Sequence, residues 1–171
     1  MTKVIVINGF PRSGKDTFCN LCQKSKRKNL KVFSYSTIDY IKTVATFCGW
    51  NGEKDPKSRK MLSELKKVLT NWNDSPYNII KRRIRVVEHG YPDEDKIIFI
   101  HCREPDEISR FVEDINAITV FIDRNMHDSI SNSSDANVLD YYYDYIIDNN
   151  GSLEQLKDSA NFFIEEIFKN N

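Results

Sequence analysis

No apolar run in the 171-residue sequence approaches the ~20 residues that a membrane-spanning helix needs. Ile97-Ile98-Phe99-Ile100 typifies the longest. A signal peptide is not expected either: Val4-Ile5-Val6-Ile7 stops at Asn8-Gly9, with no small-residue cleavage site. Both absences make the cytoplasm the expected location. Cysteine is scarce, and four in a chain this long do not build a disulfide scaffold. Cys19-x-x-Cys22 has the spacing of a redox or zinc half-site, but it falls in a predicted helix with no second pair and no histidine nearby. Reduced, partly buried thiols are expected there. No Pro/Gly linker and no internal repeat interrupt the chain, so 1–171 is expected to be one domain. Net charge is missing too: 25 Lys and Arg offset 25 Asp and Glu. That zero conceals a split. Residues 1–90 carry 19 basic against 7 acidic residues, a formal +12, and residues 91–171 carry 6 against 18, a formal −12. The segregation points to a polyanion site on one side of the molecule.

What is present is a folding sequence, 40% apolar, with ten Phe and eight Tyr. Strands are predicted at Val4–Ile7, Lys31–Tyr35, Lys96–His101, Ile118–Ile122 and Tyr142–Ile147. Helices are predicted from Gly14 to about Lys26, from about Thr37, from Asp55-Pro56, from Ser75-Pro76 to about Gly90, and from Pro105. Asp55-Pro56 and Ser75-Pro76 both read as an N-cap followed by proline at the first helical position. A last helix follows the capping box Ser152-x-x-Gln155. The alternation implies an α/β fold with a mainly parallel sheet covered on both faces. A helical excursion spans about 49–90, and a polar, patternless stretch at about 124–137 reads as a loop.

Gly9-Phe10-Pro11-Arg12-Ser13-Gly14-Lys15-Asp16-Thr17 fits G-x-x-x-x-G-K, with Asp16 where Ser or Thr is usual. A strand precedes it and a helix follows, as a phosphate loop requires. Glycines let successive N–H groups turn toward phosphate oxygens, and the helix adds the positive end of its dipole. Lys15 supplies a point charge for the β- and γ-phosphates of ATP. Thr17 can reach phosphate or the Mg²⁺ shell, and Asp16 can hold Mg²⁺ directly or through water.

This loop resembles that of phage deoxynucleoside monophosphate kinases and animal-type phosphomevalonate kinases, in the wider nucleoside monophosphate kinase-like group. Three further stretches carry the resemblance. Ser34-Tyr-Ser36-Thr-Ile-Asp39-Tyr-Ile-Lys42 is similar to the acceptor-lining segment after the second strand. His101-Cys-Arg103-Glu-Pro-Asp-Glu107 is similar to Asp-x-Arg-x-x-x-Glu after the third, with His101 in place of Asp. Asp144-Tyr-Ile-Ile-Asp-Asn149-Asn150-Gly is similar to the fifth strand and its turn, near the nucleotide base. The resemblance implies a P-loop three-layer α/β/α fold with five parallel strands in the order 2-3-1-4-5. It implies Asn149 and Asn150 at the base, and a lid at 124–137.

Ten cations crowd residues 54–85: Lys54, Lys57, Arg59, Lys60, Lys66, Lys67, Lys81, Arg82, Arg83 and Arg85. No recognised nucleic-acid-binding motif accompanies them, and nucleic acid is not the expected partner. Phosphoryl transfer needs cations to hold an anionic acceptor and offset transition-state charge. Arg59 and Arg82 or Arg83 are candidates for acceptor binding, with Ser36, Asp39 and Lys42. Asp39 and Lys42, three residues apart, face the same way and could instead pair with each other. Arg103 and Arg124 each follow a strand, where α/β proteins bind ligands, and are the candidate catalytic arginines beside Lys15. Arg103 could equally pair with Glu107. His127 reads as a surface residue, and Asp123 is an alternative metal ligand. The expected activity is transfer of the γ-phosphoryl group of ATP, with Mg²⁺, to a small phosphorylated acceptor. A nucleoside or deoxynucleoside monophosphate comes first. Dephospho-coenzyme A or a phosphomevalonate-like acceptor is a rival, and so is a nucleotide-binding regulatory module or slow NTPase.

Overall fold

The computed structural model describes residues 1–125 and 137–169. The lid-like stretch at 124–137, apart from its ends, and His127 lie outside the described residues. The chain divides into two compact units, one of Met1–Ser34 with Asp93–Asn171 and one of Tyr35–Pro92. Among the described residues, no helix is long and apolar enough to cross a membrane.

The first unit is built on a five-stranded parallel sheet in the order β2-β3-β1-β4-β5. Its strands are β1 (Thr2–Asn8), β2 (Leu30–Ser36), β3 (Asp95–His101), β4 (Ile118–Asp123) and β5 (Tyr145–Asp148). β1 lies at the centre, with Val4 opposite Ile98 on one side and Ile5 opposite Ile118 on the other. Consecutive β-branched residues suit a strand buried on both faces, and Ile5, Val6, Ile97, Ile98 and Phe99 are all fully buried. Helices α1 (Lys15–Gln23) and α6 (Leu153–Lys169) cover one face, on which Ile5, Ile7, Phe99, Val120 and Ile122 meet Phe18, Cys22, Phe163 and Ile164. Phe18 anchors α1 twice, with its ring 6.3 Å from that of Phe99 and 5.6 Å from that of Phe163. Helix α5 (Pro105–Ile115) packs on β1 and β4. Its Ile108 and Phe111 are fully buried. This gives the three layers expected of the α/β class.

The second unit packs α2 (Asp39–Phe47), α3 (Pro56–Asn73) and α4 (Ser75–Gly90) on one another. The helical excursion expected at about 49–90 falls inside this unit, which also takes in α2. Asp55 caps α3 as its sequence implies, with its carboxylate accepting from the Ser58 N–H at 2.7 Å. The apolar stripe of α3 is less buried than its spacing suggests: Val68 is exposed and Trp72 is 80% exposed.

Four local expectations need correction. Ser75 is the first residue of α4, and its cap position is Asp74, in the left-handed conformation. α1 ends at Gln23 rather than Lys26, because Gln-Lys-Ser-Lys-Arg-Lys offers no apolar side chain to hold another turn. α2 begins at Asp39, two residues after the expected start. β5 begins at Tyr145 rather than Tyr142, since the Asp144 carboxylate accepts from both the N–H and hydroxyl of Thr119 at 2.8 Å, just ahead of the ladder. The capping box does form: Ser152 N–H donates to Gln155 Oε1 at 2.7 Å and Gln155 N–H to Ser152 Oγ at 3.3 Å.

Candidate active site

β1 runs straight into the loop Gly9–Lys15 and then α1, at the carboxyl end of the sheet. Gly9 (φ 145°) and Gly14 (φ 99°) bracket the turn, and Arg12 adopts φ 63° between them. Gly9 is forced by its surroundings: a Cβ there would sit 2.6 Å from Ile122 O and 2.7 Å from Ser13 Oγ. The loop therefore lies directly against β4, in the crevice where β1 and β4 end. Gly14 occupies the N-cap of α1 without a side-chain cap. The first-turn N–H groups of α1 have no intrahelical acceptor, an arrangement that favours an anion.

Lys15 reaches back across the loop. Its ammonium donates to Gly9 O at 2.6 Å and Phe10 O at 2.7 Å, and lies 3.4 Å from Ser13 Oγ. The loop is braced from beneath. Ser13 is fully buried, and its N–H donates to Phe10 O at 3.1 Å. Asn8 turns its Oδ1 to the Gly9 N–H at 2.8 Å and its Nδ2 to the Tyr143 hydroxyl at 2.7 Å, which donates on to Val138 O at 2.9 Å. Burial pushes the Tyr143 phenol up to about 12, against the Asn8 bond, so it stays a neutral donor. Phe10 is buried edge-on to Phe121, its ring 6.1 Å away.

The two asparagines expected at the nucleotide base sit at the turn after β5. Asn149 donates from its side chain to Ser13 O and from its backbone to Asp123 O, both at 2.7 Å. Asn150 accepts from the Asn125 N–H at 2.7 Å. Arg124 is exposed, with its guanidinium 3.5 Å from Arg12 O, so this candidate arginine does lie at the loop. Arg103 is half-buried just past β3. Asp16 is 93% exposed, 3.9 Å from His101 Nε2, and Thr17 is exposed. His101 in turn meets Ser34 Oγ at 2.8 Å and Cys19 Sγ at 4.0 Å. Burial, then the nearby Asp16 charge, pushes the Cys19 thiol up to about 12, and burial raises Cys22 as well. Thiols raised in this way are not activated nucleophiles.

No cluster of three or more His, Cys, Asp or Glu able to hold a metal occurs among the described residues. Asp16 and Thr17 are exposed neighbours in the first turn of α1, a carboxylate and a hydroxyl of the hard oxygen type that Mg²⁺ takes.

The residues proposed from sequence for an acceptor, Ser36, Asp39, Lys42, Arg59 and Arg82, all lie in the second unit. There Asp39 accepts from the Ser36 N–H at 2.8 Å and pairs with Arg83 at 3.5 Å; among the described residues its ionic partner is Arg83 and not Lys42. Arg83 also stacks over Tyr35, 4.9 Å from the ring centre. Lys42, Arg59 and Arg82 are exposed, and Arg59 Nε donates to Lys54 O at 3.1 Å. Lys66 is half-buried, reaching Thr37 Oγ1 at 3.4 Å.

Sequence reasoning missed Asn8, Tyr143, Ser34 and the loop-facing use of Asn149. Asn8 was visible only as the end of an apolar run, and the others are remote in sequence from what they touch.

No protein-family model matches the sequence, and no curated protein matches it. Solved structures do resemble the fold. An unliganded sugar kinase from Janibacter sp. HTCC2649 aligns with TM-score 0.51 and 15% identity, over 96% of this chain and 95% of that one. Shikimate kinase from Aquifex aeolicus vf5 aligns with TM-score 0.46 and 14% identity, over 96% and 98%. An APS kinase from Mycobacterium tuberculosis aligns with TM-score 0.47 and 13% identity, over 96% and 97%. The fold, shared with the sugar kinase, is a three-layer α/β/α P-loop fold. Its five parallel strands run in the order 2-3-1-4-5.

Proposed function

We propose that this protein is an ATP-dependent phosphotransferase that moves the γ-phosphoryl group to a small phosphorylated acceptor, with a nucleoside or deoxynucleoside monophosphate as first choice. A shared fold admits this activity without selecting it. The observation that carries the reading is the geometry of Gly9–Lys15. A glycine-bracketed loop enters an uncapped helix N-terminus, and a lysine ammonium lies across it. That arrangement sets the helix-start N–H groups and one cation on the same short loop, which suits a triphosphate.

In this reading Lys15 exchanges its carbonyl partners for phosphate oxygens, which are stronger, charge-assisted acceptors. Asp16 and Thr17 would hold Mg²⁺, which would supply neutralisation of phosphate charge and orientation of the transferring group. Arg124, beside the loop at Arg12, and Arg103, at the end of β3, are the arginines assigned to transition-state charge. Ser36, Asp39, Lys42, Arg59 and Arg82 are assigned to the acceptor. Arg83 joins them, because its pairing with Asp39 and stacking on Tyr35 hold its guanidinium in place. No strong general base is needed when the acceptor is itself a phosphate. The proposed working unit is the whole 1–171 chain.

The test is ADP formation from MgATP with and without a panel of ribo- and deoxynucleoside monophosphates. Stimulation by at least one monophosphate, with a labelled diphosphate as product, is expected. A rate unchanged by every monophosphate would refute the acceptor class. A second reading, a nucleotide-binding module or slow NTPase, draws on Asp16 standing in the usual hydroxyl position and facing His101. It predicts ATP binding with no acceptor stimulation.

A further inference from the structure

Asn149 is separated from Ser13 by 136 positions, yet its side-chain amide donates to Ser13 O at 2.7 Å. Its own backbone N–H is anchored on Asp123 O at 2.7 Å, so the turn after β5 is pinned to the end of β4. Gly14 leaves the space this contact needs: a Cβ on Gly14 would collide with Asn149 Nδ2. Ser13 is thereby held from both sides, by its N–H on Phe10 O and its carbonyl on Asn149. A peptide unit is planar, with its C=O and N–H pointing in opposite directions. Fixing the Ser13 carbonyl therefore fixes the direction of the Gly14 N–H, which points the opposite way within the same plane. Gly14 is the pivot between loop and helix, where the backbone has φ 99° and no side-chain cap. An unbraced glycine peptide would rotate readily.

We propose that Asn149 is a positioning residue for the phosphate loop: it orients the Ser13–Gly14 peptide, and it acts on any triphosphate ligand irrespective of base. This rests on the nucleotide-binding reading above, and it assigns Asn149 a role other than base contact. The two roles make opposite predictions. A base-reading asparagine matters for one nucleobase and not for inorganic tripolyphosphate. A loop brace matters equally for all three ligands ATP, GTP and tripolyphosphate.

The experiment uses the full chain as wild type, Asn149→Ala and Asn149→Asp, at a temperature where melting curves show all three folded. Affinities for ATP, GTP and inorganic tripolyphosphate are measured by calorimetric titration. The expected loss in Asn149→Ala is about tenfold for each ligand, the scale of one hydrogen bond. Asn149→Asp keeps an acceptor oxygen but loses the donor, so it is expected to be at least as weak. The Gly14 backbone order parameter, from NMR relaxation in the ligand-free protein, is expected to fall in both variants. A loss confined to ATP, an Asn149→Asp variant that binds ATP like wild type, or an unchanged Gly14 order parameter would each overturn the proposal. If the wild-type protein binds none of the three ligands, the nucleotide reading fails by itself. A lowered Gly14 order parameter would then still support the brace, and an unchanged one would overturn it.

Discussion

Replacing Gly9 with alanine puts a methyl group where the end of β4 already stands. A Cβ there would lie 2.6 Å from Ile122 O and 2.7 Å from Ser13 Oγ, at a backbone φ of 145°. Ile122 O is strand backbone and cannot swing aside. Ser13 is fully buried, so its hydroxyl has little room to move. Backbone strain at such a φ costs roughly 1–3 kcal/mol, and overpacking a closed site about the same again. A combined loss of about 3–4 kcal/mol lowers Tm by roughly 6–16 °C in a chain of this size. The other glycines supply the controls. At Gly14 (φ 99°) a methyl meets the end of the Asn149 side chain, which can move at the expense of one hydrogen bond, for a loss of about 2 kcal/mol. At Gly49 (φ 93°) and Gly52 (φ 91°) nothing lies within 4 Å, so only strain of about 1 kcal/mol remains. Thermal unfolding followed by circular dichroism without nucleotide is expected to rank Gly9→Ala well below Gly14→Ala, with Gly49→Ala and Gly52→Ala nearest wild type. A Gly9→Ala protein that melts with Gly49→Ala would refute the close approach of the loop to β4.

The Asp55 cap carries a pH signature. Its hydrogen bond from the Ser58 N–H holds the Asp55 carboxyl below its usual value. A depressed folded pKa means stabilisation that is fully present above the unfolded carboxylate value, about 3.9, and lost as pH falls through the folded one. Asp55→Ala should therefore melt below wild type at pH 7, and the gap should shrink below about pH 4; a gap undiminished at pH 3 contradicts the assignment. Asp55→Asn, which keeps a capping oxygen, should stay close to wild type at pH 7. Thiol chemistry tests the core: Cys48 is exposed, whereas Cys19, Cys22 and Cys102 are buried. Native protein should react rapidly with one equivalent of a disulfide reagent and with four after denaturation. Two or more fast thiols would show that at least one of Cys19, Cys22 and Cys102 is not buried as described.

What the sequence made legible is what local chemistry decides. Asp55-Pro56 and Ser152-x-x-Gln155 specify their caps within four residues, and both form. The glycine-bracketed turn from β1 into α1 is legible for the same reason, since glycine spacing, lysine and the flanking apolar run are contiguous. The parallel sheet followed from β-branched runs without polar alternation, while its 2-3-1-4-5 order came from resemblance. Ser75 misled because its proline signal was read without the left-handed Asp74 before it. Tyr142–Asp144 misled because its two tyrosines favour a strand, yet Tyr143 is drawn into side-chain bonds with Asn8 and Asp144 into bonds with Thr119. The brace on the loop was illegible because its partners, Asn8 with Tyr143 and Ser13 with Asn149, lie more than 130 positions apart and meet only through the strand order.

The central claim is that Gly9–Lys15 binds the triphosphate of ATP through Lys15. It is tested most directly by titrating wild-type and Lys15→Ala proteins with MgATP at equilibrium, with melting curves confirming that both are folded. Hydrogen bonds to charged groups contribute about 1.5–3 kcal/mol each, so removing an ammonium shared by two phosphates should weaken binding by about a hundredfold or more. Saturable wild-type binding, competed by inorganic tripolyphosphate and lost in folded Lys15→Ala, is the predicted result. Equal affinity in the two proteins, or wild-type binding that tripolyphosphate does not displace, would contradict the account.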